Sequence, residues 1–151
     1  MQLVNNTVVL VADGRKLLFL RNEGDAQYPN LTVEVAEEHP NPANRDQSTD
    51  AAGRASSTSP AGGTSRSGSS MEPTDFHQLE EDRFAAEAAA MLKKRALAND
   101  FEHLVIVAPP RTLGELRKHY HKEVESRLAG ELAKDLTGHT IPEIEAALQA
   151  A

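Results

Sequence analysis

Three arginines in a polar stretch near the middle of the chain have the chemistry to bind phosphate groups. They are Arg45, Arg54 and Arg66, and only two aspartates accompany them between residues 39 and 71, so this stretch has a net charge of +1. Arginine suits phosphate because its planar guanidinium donates hydrogen bonds in pairs. The opposing interpretation is that three arginines in a stretch of this length are ordinary. Because the guanidinium group suits phosphate, the three side chains are nevertheless candidates for RNA contact.

The stretch that carries them, at about residues 39–74, is predicted to be a long flexible loop. Serine, glycine, proline and alanine recur there without a hydrophobic period, so ordering it would cost conformational entropy without burying a core. Long loops inside small domains are usually functional or disordered. Gly62, Gly63 and Thr64 lie near its middle, and the two glycines would let an RNA backbone approach closely. With this loop set aside, residues 1–151 are predicted to form a single domain.

A two-metal nuclease site is the main alternative chemistry. Asp13 follows the first predicted strand, and Glu80 and Glu81 lie on the helix that follows the loop. Asp13 is also a residue type that hairpin turns favour, and acidic residues are typical of a solvated first helical turn. At the end of the fourth predicted strand the chain has Ala108 and Pro109 where a further carboxylate would be needed. We therefore predict no catalytic residue, no metal site and no other cofactor.

One histidine and one further arginine join the candidates for RNA contact. His77 lies where the loop meets the following helix, although an exposed first-turn histidine is the more ordinary interpretation, and Arg111 follows a pair of prolines. His119 and His121 are two positions apart and would face apart on a helix. The chain contains no HExxH, P-loop, GxGxxG or GxSxG motif.

Composition excludes several classes of protein. The chain has 151 residues, a formal net charge of −7 and no cysteine. The acidic balance argues against nucleic-acid binding through an extended basic face, and the absence of cysteine excludes disulfides and thiolate zinc sites. The first residues lack the pattern of a secretion signal, and no apolar run approaches the ~18 residues of a membrane span. The expected location is the cytoplasm, with no membrane partner; the sequence does not indicate an oligomeric state.

Hydrophobic periodicity predicts five strands. Asp13 and Gly14 separate two apolar runs and are typical of a type I′ hairpin turn, in which both residues have positive φ. The third strand alternates apolar and polar residues, and the fourth is a continuous apolar run of the kind that both faces of a sheet cover. The segment from Leu128 to Leu136 fits either a continued helix or a strand, and we favour a strand. The predicted strands cover residues 7–12, 15–20, 31–38, 104–108 and 130–136.

Helices are predicted over residues 75–98, over residues 112–126 and from Thr140 onward. The first has an apolar stripe that includes Phe84 and Leu92, and Thr140 begins a capping box. The resulting order is β-β-β-loop-α-β-α-β-α. It predicts an α/β fold with a mixed five-stranded sheet and helices on its faces, as in the ribonuclease-H-like architecture.

A set of short motifs resembles the bacterial host attachment protein family, which is named for a protein implicated in attachment to host cells. The similarity spans nearly the whole chain in the same order, and its specificity comes from the set rather than from any one motif. The matching segments are Val11-Ala12-Asp13-Gly14 with Phe19, Met71-Glu72-Pro73 with Asp75 and His77, Phe84-Ala85, Val107-Ala108-Pro109-Pro110-Arg111, Leu113-Gly114, Leu116-Arg117, and Lys134-Asp135-Leu136-Thr137.

That family is in turn similar to the middle domain of archaeal and eukaryotic class 1 release factors. The resemblance implies the same fold, in which the loop after the third strand carries Gly-Gly-Gln and promotes hydrolysis of peptidyl-tRNA. Gly62 and Gly63 occupy the corresponding place in this chain, but Thr64 stands where those factors have glutamine. The chain also has no codon-reading domain.

Three functions are compatible with these observations. The favoured hypothesis is a non-enzymatic, translation-linked module that binds the ribosome, ribosomal RNA or transfer RNA through its loop. The first alternative is a protein-interaction module that affects attachment to host cells through a protein partner. The second is a hydrolase that acts on peptidyl-tRNA or RNA.

Overall fold

A computed structural model describes residues 1–38 and 73–151 of the chain. The predicted loop therefore lies almost entirely outside the described residues. The order of elements is the predicted one, with one additional single-turn helix. The elements are β1 (Val8–Ala12), β2 (Lys16–Asn22), β3 (Leu31–Glu38), α1 (Pro73–Leu97), β4 (Leu104–Val107), α2 (Pro110–Arg117), α3 (Lys122–Glu125), β5 (Leu128–Leu132) and α4 (Ile141–Ala150).

The five described strands form one mixed sheet in the order β3-β2-β1-β4-β5. β2 is antiparallel to both β1 and β3, whereas β4 is parallel to both β1 and β5. The structure confirms the predicted mixed five-stranded sheet. It also confirms that β4 is covered on both faces, because all four of its residues are buried.

Two apolar layers cover the sheet. On the first face, called the α1 face, Phe84, Ala88 and Leu92 of the predicted stripe pack against alternate residues of β1 and β4. On the second, called the α4 face, Ile144 and Leu148 of α4 pack against the other alternate residues of the same strands. Side chains alternate across a strand, so a strand between two helical layers must be apolar at every position. β1 meets this requirement, with all five residues buried.

The hairpin turn between β1 and β2 differs from the predicted type. Neither Asp13 nor Gly14 has positive φ. Asp13 instead uses its carboxylate, because Oδ1 accepts hydrogen bonds from the backbone N–H groups of Arg15 and Lys16, both at 2.7 Å. An aspartate that captures amides two and three residues ahead forms its own turn without the type I′ backbone. The antiparallel pairing of β1 with β2 is nevertheless as predicted.

Two predicted element boundaries are also wrong. The helix expected over residues 112–126 is divided into α2 and α3, because His121 begins α3 by accepting the backbone N–H of Glu123 on Nδ1 at 3.0 Å. The strand expected over residues 130–136 is β5, at Leu128–Leu132. β5 ends there because its partner β4 ends at Val107, which pairs with Leu132.

Two arginines and two acids tie the end of α1 to the antiparallel strands. Glu34 accepts hydrogen bonds from Arg21 and Arg95, and Arg95 donates to Asp100 at 2.7 Å. A bulge in β3 at Glu34 interrupts the pairing with β2, and bulges redirect side chains in this way. Burial alone would raise the pKa of Glu34, but the hydrogen bonds from both arginines outweigh it and hold the pKa below its usual range.

Asn22 is a buried polar residue that joins three segments. Its side-chain amide donates to the carbonyl of Leu3 at 2.6 Å, and its carbonyl oxygen accepts the N–H groups of Gly24 and Asn30 at 2.9 and 2.8 Å. The Asn22 side chain is fully buried, and its loss would remove the partner of a buried carbonyl and of two part-buried amides. Asn22 therefore fixes the N-terminal segment and the β2–β3 connection at the same point.

We predict that Asn22→Leu lowers the free energy of unfolding by about 3 kcal/mol, since it leaves one buried carbonyl and two part-buried amides without this partner. Urea denaturation measures this change. Asn5→Ala is the matched control, because Asn5 is exposed and makes one side-chain hydrogen bond, to the carbonyl of Gly24. The control should lose less than about 1 kcal/mol. Equal losses in the two variants would show that the hydrogen bonds of Asn22 contribute no more to stability than the single bond of Asn5.

Glu131 of β5 holds the end of α2 against the sheet. Its Oε1 accepts hydrogen bonds from Nη2 and Nε of Arg117 at 2.6 and 3.1 Å, and its Oε2 accepts one from the Tyr120 hydroxyl at 2.8 Å. The bond from Arg117 and the one from Tyr120 together outweigh partial burial and hold the pKa of Glu131 below its ordinary 4.5. Burial raises the pKa of Tyr120, and the bond to Glu131 raises it further.

The lowered pKa of Glu131 predicts a pH dependence of stability. A carboxyl group with a lower pKa in the folded state stabilises the fold above its unfolded pKa, and this contribution disappears as the pH falls. Glu131→Gln should therefore lose less stability than the wild type between about pH 5 and pH 3, as urea titrations at each pH would show. Glu102→Gln, at an exposed carboxylate, should follow the wild-type curve. Parallel curves for Glu131→Gln and the wild type would contradict the prediction.

Candidate functional site at the carboxyl edge of the sheet

One edge of the sheet brings together one end of each of the five described strands and the described candidate residues His77 and Arg111. The parallel strands β1, β4 and β5 end there, and their antiparallel neighbours place the start of β2 and the end of β3 at the same edge, where Lys16 pairs with Glu38. In open α/β sheets, ligands bind outside the carboxyl ends of the parallel strands. We call this region the carboxyl edge.

The predicted loop leaves and rejoins the described structure at the carboxyl edge. It follows Glu38 at the end of β3 and precedes α1. The first half of α1 lies close to the β1–β2 turn, because a Cβ added to Gly14 would approach Cγ of Glu81 to 2.7 Å. The side chain of Glu81 thus packs directly over Gly14, which places the first half of α1 beside the β1–β2 turn.

Both carboxylate oxygens of Asp13 lie within hydrogen-bond distance of structural groups. While its Oδ1 holds the turn, its Oδ2 lies 2.8 Å from the Thr137 hydroxyl, which is also 2.8 Å from Oδ1 of Asp135. A hydroxyl carries one proton, so Thr137 donates to one of these two carboxylates at a time. The arrangement ties the β1–β2 turn to the segment after β5.

The described residues contain no group of three or more His, Asp or Glu side chains that could hold a metal ion. Within residues 1–38 and 73–151, the acids that prompted the nuclease hypothesis are thus engaged in other contacts. Asp13 holds the turn and contacts Thr137, Glu80 forms an ion pair with Arg83 at 2.6 Å, and Glu81 packs over Gly14.

Arg111 lies on the first turn of α2, directly after the end of β4. Its side chain is exposed, and it makes no ion pair with another described residue. The preceding Pro109 offers no side-chain cap, and the first turn of α2 contains no acid. Unpaired backbone N–H groups and the helix dipole make such a terminus favourable for a negative charge. Arg111 and the start of α2 together therefore suit a phosphate.

His77 lies on α1 near the carboxyl edge, on the side where the loop returns. Its side chain is half-buried, and its Nε2 atom is buried without a hydrogen-bond partner in the described part of the chain. The expectation of an ordinary exposed first-turn histidine is therefore not met. A buried ring nitrogen without a partner has the capacity to bind one further polar group.

The structure brings two of the predicted RNA-contact residues, His77 and Arg111, to elements that border the carboxyl edge. The remaining six candidates lie outside the described residues: Arg45, Arg54, Gly62, Gly63, Thr64 and Arg66. Sequence reasoning missed the contact between Asp13 and Thr137. Both residues belong to the motifs that carried the family resemblance, which was the available signal.

A comparison with protein-family models matches residues 6–148 to the model described as bacterial archaeo-eukaryotic release factor family 12. The chain belongs to this release factor family. The predicted release-factor relationship is confirmed, and membership indicates a translation-related role. The family description says nothing of attachment to host cells. A search of curated proteins found no match. Among the described helices of this family member, none is long and apolar enough to cross a membrane.

We predict that Thr137→Val lowers the free energy of unfolding by about 1 kcal/mol, because it removes the hydroxyl between Asp13 and Asp135. Thr137→Ser keeps the hydroxyl and should retain most of that stability. Amide hydrogen exchange at Arg15 and Lys16 should accelerate in the valine variant alone, because the Asp13 turn loses its anchor. Unchanged exchange in that variant would show that the turn does not depend on Thr137.

Proposed function

We propose that this family member is a non-enzymatic accessory module of translation that contacts ribosomal or transfer RNA at its carboxyl edge. The observation that carries the proposal is the joint placement of the two loop ends, the exposed Arg111 and the uncapped start of α2 at this edge, in a chain that belongs to a release factor family. The predicted loop, with Arg45, Arg54 and Arg66, would extend the contact. The cytoplasm, where ribosomes reside, is the proposed location.

The charge distribution supports contact at one edge rather than across a broad face. The chain is acidic overall at −7, whereas residues 39–71 have net charge +1. Phosphate contacts by arginine and by helix N-termini fix position and orientation on RNA without reading sequence. A rigid sheet that presents a few such groups at one edge suits docking against a structured RNA surface.

A non-enzymatic role is favoured over hydrolysis for two reasons. Thr64 stands where the class 1 release factors carry glutamine after two glycines, and a threonine side chain has no amide to donate and accept as glutamine does. At the other candidate centre, both carboxylate oxygens of Asp13 already lie within hydrogen-bond distance of structural groups. The arrangement therefore supports binding better than catalysis.

The decisive experiment is co-sedimentation of the tagged protein with ribosomes in sucrose gradients at low and high salt. We predict co-migration with a ribosomal peak that weakens at high salt, because counterions compete for phosphate. Arg54→Ala combined with Arg66→Ala should abolish it, and Arg111→Ala should reduce affinity about tenfold through loss of a charge-assisted bond. The matched control is Lys93→Ala with Lys94→Ala, at exposed positions near the far end of α1, which should co-migrate as the wild type does.

Protein that stays at the top of the gradient at low salt would overturn the proposal. Equal co-migration of the arginine variants and the lysine control would overturn the assigned contact residues. Hydrolysis of peptidyl-tRNA by the purified protein would replace the non-enzymatic role with the release-factor type of activity.

A further inference from the structure

A polar pocket lies at the end of the sheet opposite the carboxyl edge. β1 and β4 begin at this end and β2 ends there, because Val8 pairs with both Arg21 and Leu104. The pocket has a volume of about 300 Å³ and is lined by residues 4–6, by Arg21 and by residues 99–103. This volume is at the lower end of the range for small-molecule sites. We call it the amino-edge pocket.

Arg21 joins the two walls of the amino-edge pocket. Its Nη1 lies 3.5 Å from the carbonyl oxygen of Asn6 on one wall, and its Nη2 donates to the carbonyl of Asp100 on the other at 3.0 Å. Its Nε donates to Glu34 at 2.6 Å, and the side chain is only 16% exposed. These bonds fix the plane of the guanidinium group, and such planes are surfaces on which nucleobases stack.

The backbone of each wall is also fixed. Asn6 and Asn99 have positive φ, of 68° and 58°, and in the described part of the chain no other non-glycine residue does. Two backbone hydrogen bonds of 2.9 Å close α1 around Asn99 in a Schellman motif, and the N–H of Asn6 donates to the carbonyl of Asn22 at 2.8 Å. Walls that are ordered in advance lower the entropy cost of binding a ligand.

Two side chains of the wall formed by residues 99–103 keep unused hydrogen-bonding capacity. Oδ1 of Asn99 accepts a hydrogen bond from Arg127 at 3.1 Å, which identifies the other atom of its amide as the nitrogen, with two donors. The carboxylate of Glu102 is exposed and makes no ion pair or hydrogen bond with another described residue. One wall therefore offers donors and an acceptor to the same ligand.

The charges around the pocket favour an uncharged ligand. Arg21 and Arg95 form ion pairs with Glu34 and Asp100, so these four side chains carry no net charge together. Glu102 adds one negative charge. A phosphate in the pocket would be repelled by Glu102, and a cation would meet Arg21. The ligand that fits is planar and uncharged, with donors for a carboxylate and an acceptor for an amide.

We propose that the amino-edge pocket binds one unpaired guanine base of an RNA. The Watson–Crick edge of guanine has two adjacent N–H donors beside a carbonyl oxygen, which complement the carboxylate of Glu102 and the amide of Asn99. Adenine, cytosine and uracil lack two adjacent donors on that edge. The base stacks on the guanidinium plane of Arg21, and its sugar and phosphate remain outside the pocket.

This inference takes from the proposed function only that the partner is an RNA. The pocket reads a base, whereas Arg111 and the start of α2, at the opposite end of the sheet, attract phosphate. A trinucleotide can occupy the pocket whether or not the protein binds ribosomes, so the two proposals can fail separately.

The test uses the full chain and the trinucleotide RNAs UGU, UAU, UCU and UUU, which differ in the central base alone. NMR titration of isotope-labelled protein should give a dissociation constant below about 1 mM for UGU and at least ~5-fold weaker binding of the other three. The backbone amide signals of Asn6, Asn99 and Glu102 should shift with UGU. Shifts at Arg111 of equal size for all four RNAs would report phosphate contact at the carboxyl edge, which keeps the two sites distinct.

Two substitutions test the assigned contacts. Glu102→Gln keeps the shape of the side chain but replaces one acceptor by a donor, and Asn99→Gly removes the amide while glycine keeps the positive φ. Each should weaken UGU binding about fivefold or more. Glu125→Gln, at an exposed position of α3, is the matched control and should bind UGU as the wild type does. No binding of UGU at about 1 mM, equal affinity for UGU and UUU, or equal affinities of Glu102→Gln and Glu125→Gln would each overturn the proposal.

Discussion

The burial of β1 and β4 on both faces is the constraint on which the rest of the structure depends. All residues of both strands are buried, so helices must cover both faces of the sheet. α1 and α2 supply one cover and α4 the other, with apolar residues of each packed against alternate strand positions. Parallel pairing of β1, β4 and β5 then requires helical crossovers, and every crossover begins at the carboxyl edge. Because both faces of the sheet are covered by apolar residues, the carboxyl edge is where the chain can present polar side chains to a ligand.

At that edge, the side chain of one aspartate replaces the positive-φ backbone of a type I′ turn. Asp13 holds two turn amides with one oxygen and contacts Thr137 with the other. The β1–β2 turn and the segment after β5 therefore meet at this one residue, and the side chain of Glu81 on α1 packs over the neighbouring Gly14. A binding surface gains from this arrangement because its contact groups are ordered before a ligand arrives, which lowers the entropy cost of association.

The sequence was sufficient for features that depend on local pattern, and insufficient for those that depend on partners distant in the chain. The continuous apolar run at Leu104–Val107 and the alternation at Leu31–Glu38 predict strands of the correct kind. The limits of β5, by contrast, depend on where β4 ends, and the division of the helix after Arg117 depends on the side chain of His121. Arg111 and His77 could be proposed from sequence position, but the contact of Asp13 with Thr137 joins residues 124 positions apart. Hydrophobic periodicity describes neighbours within one helix or strand and therefore cannot predict such a long-range pair.

The sign of charge that the carboxyl edge attracts follows from the topology. The edge presents the start of α2 and Arg111, which favour a negative ligand, because a helix that follows a parallel strand directs its positive end toward that edge. The outer strand β3 contains three glutamates and no basic residue, which disfavours edge-to-edge pairing with a second acidic copy of the chain. The same sheet therefore favours a negative ligand at its carboxyl edge and disfavours self-association at β3.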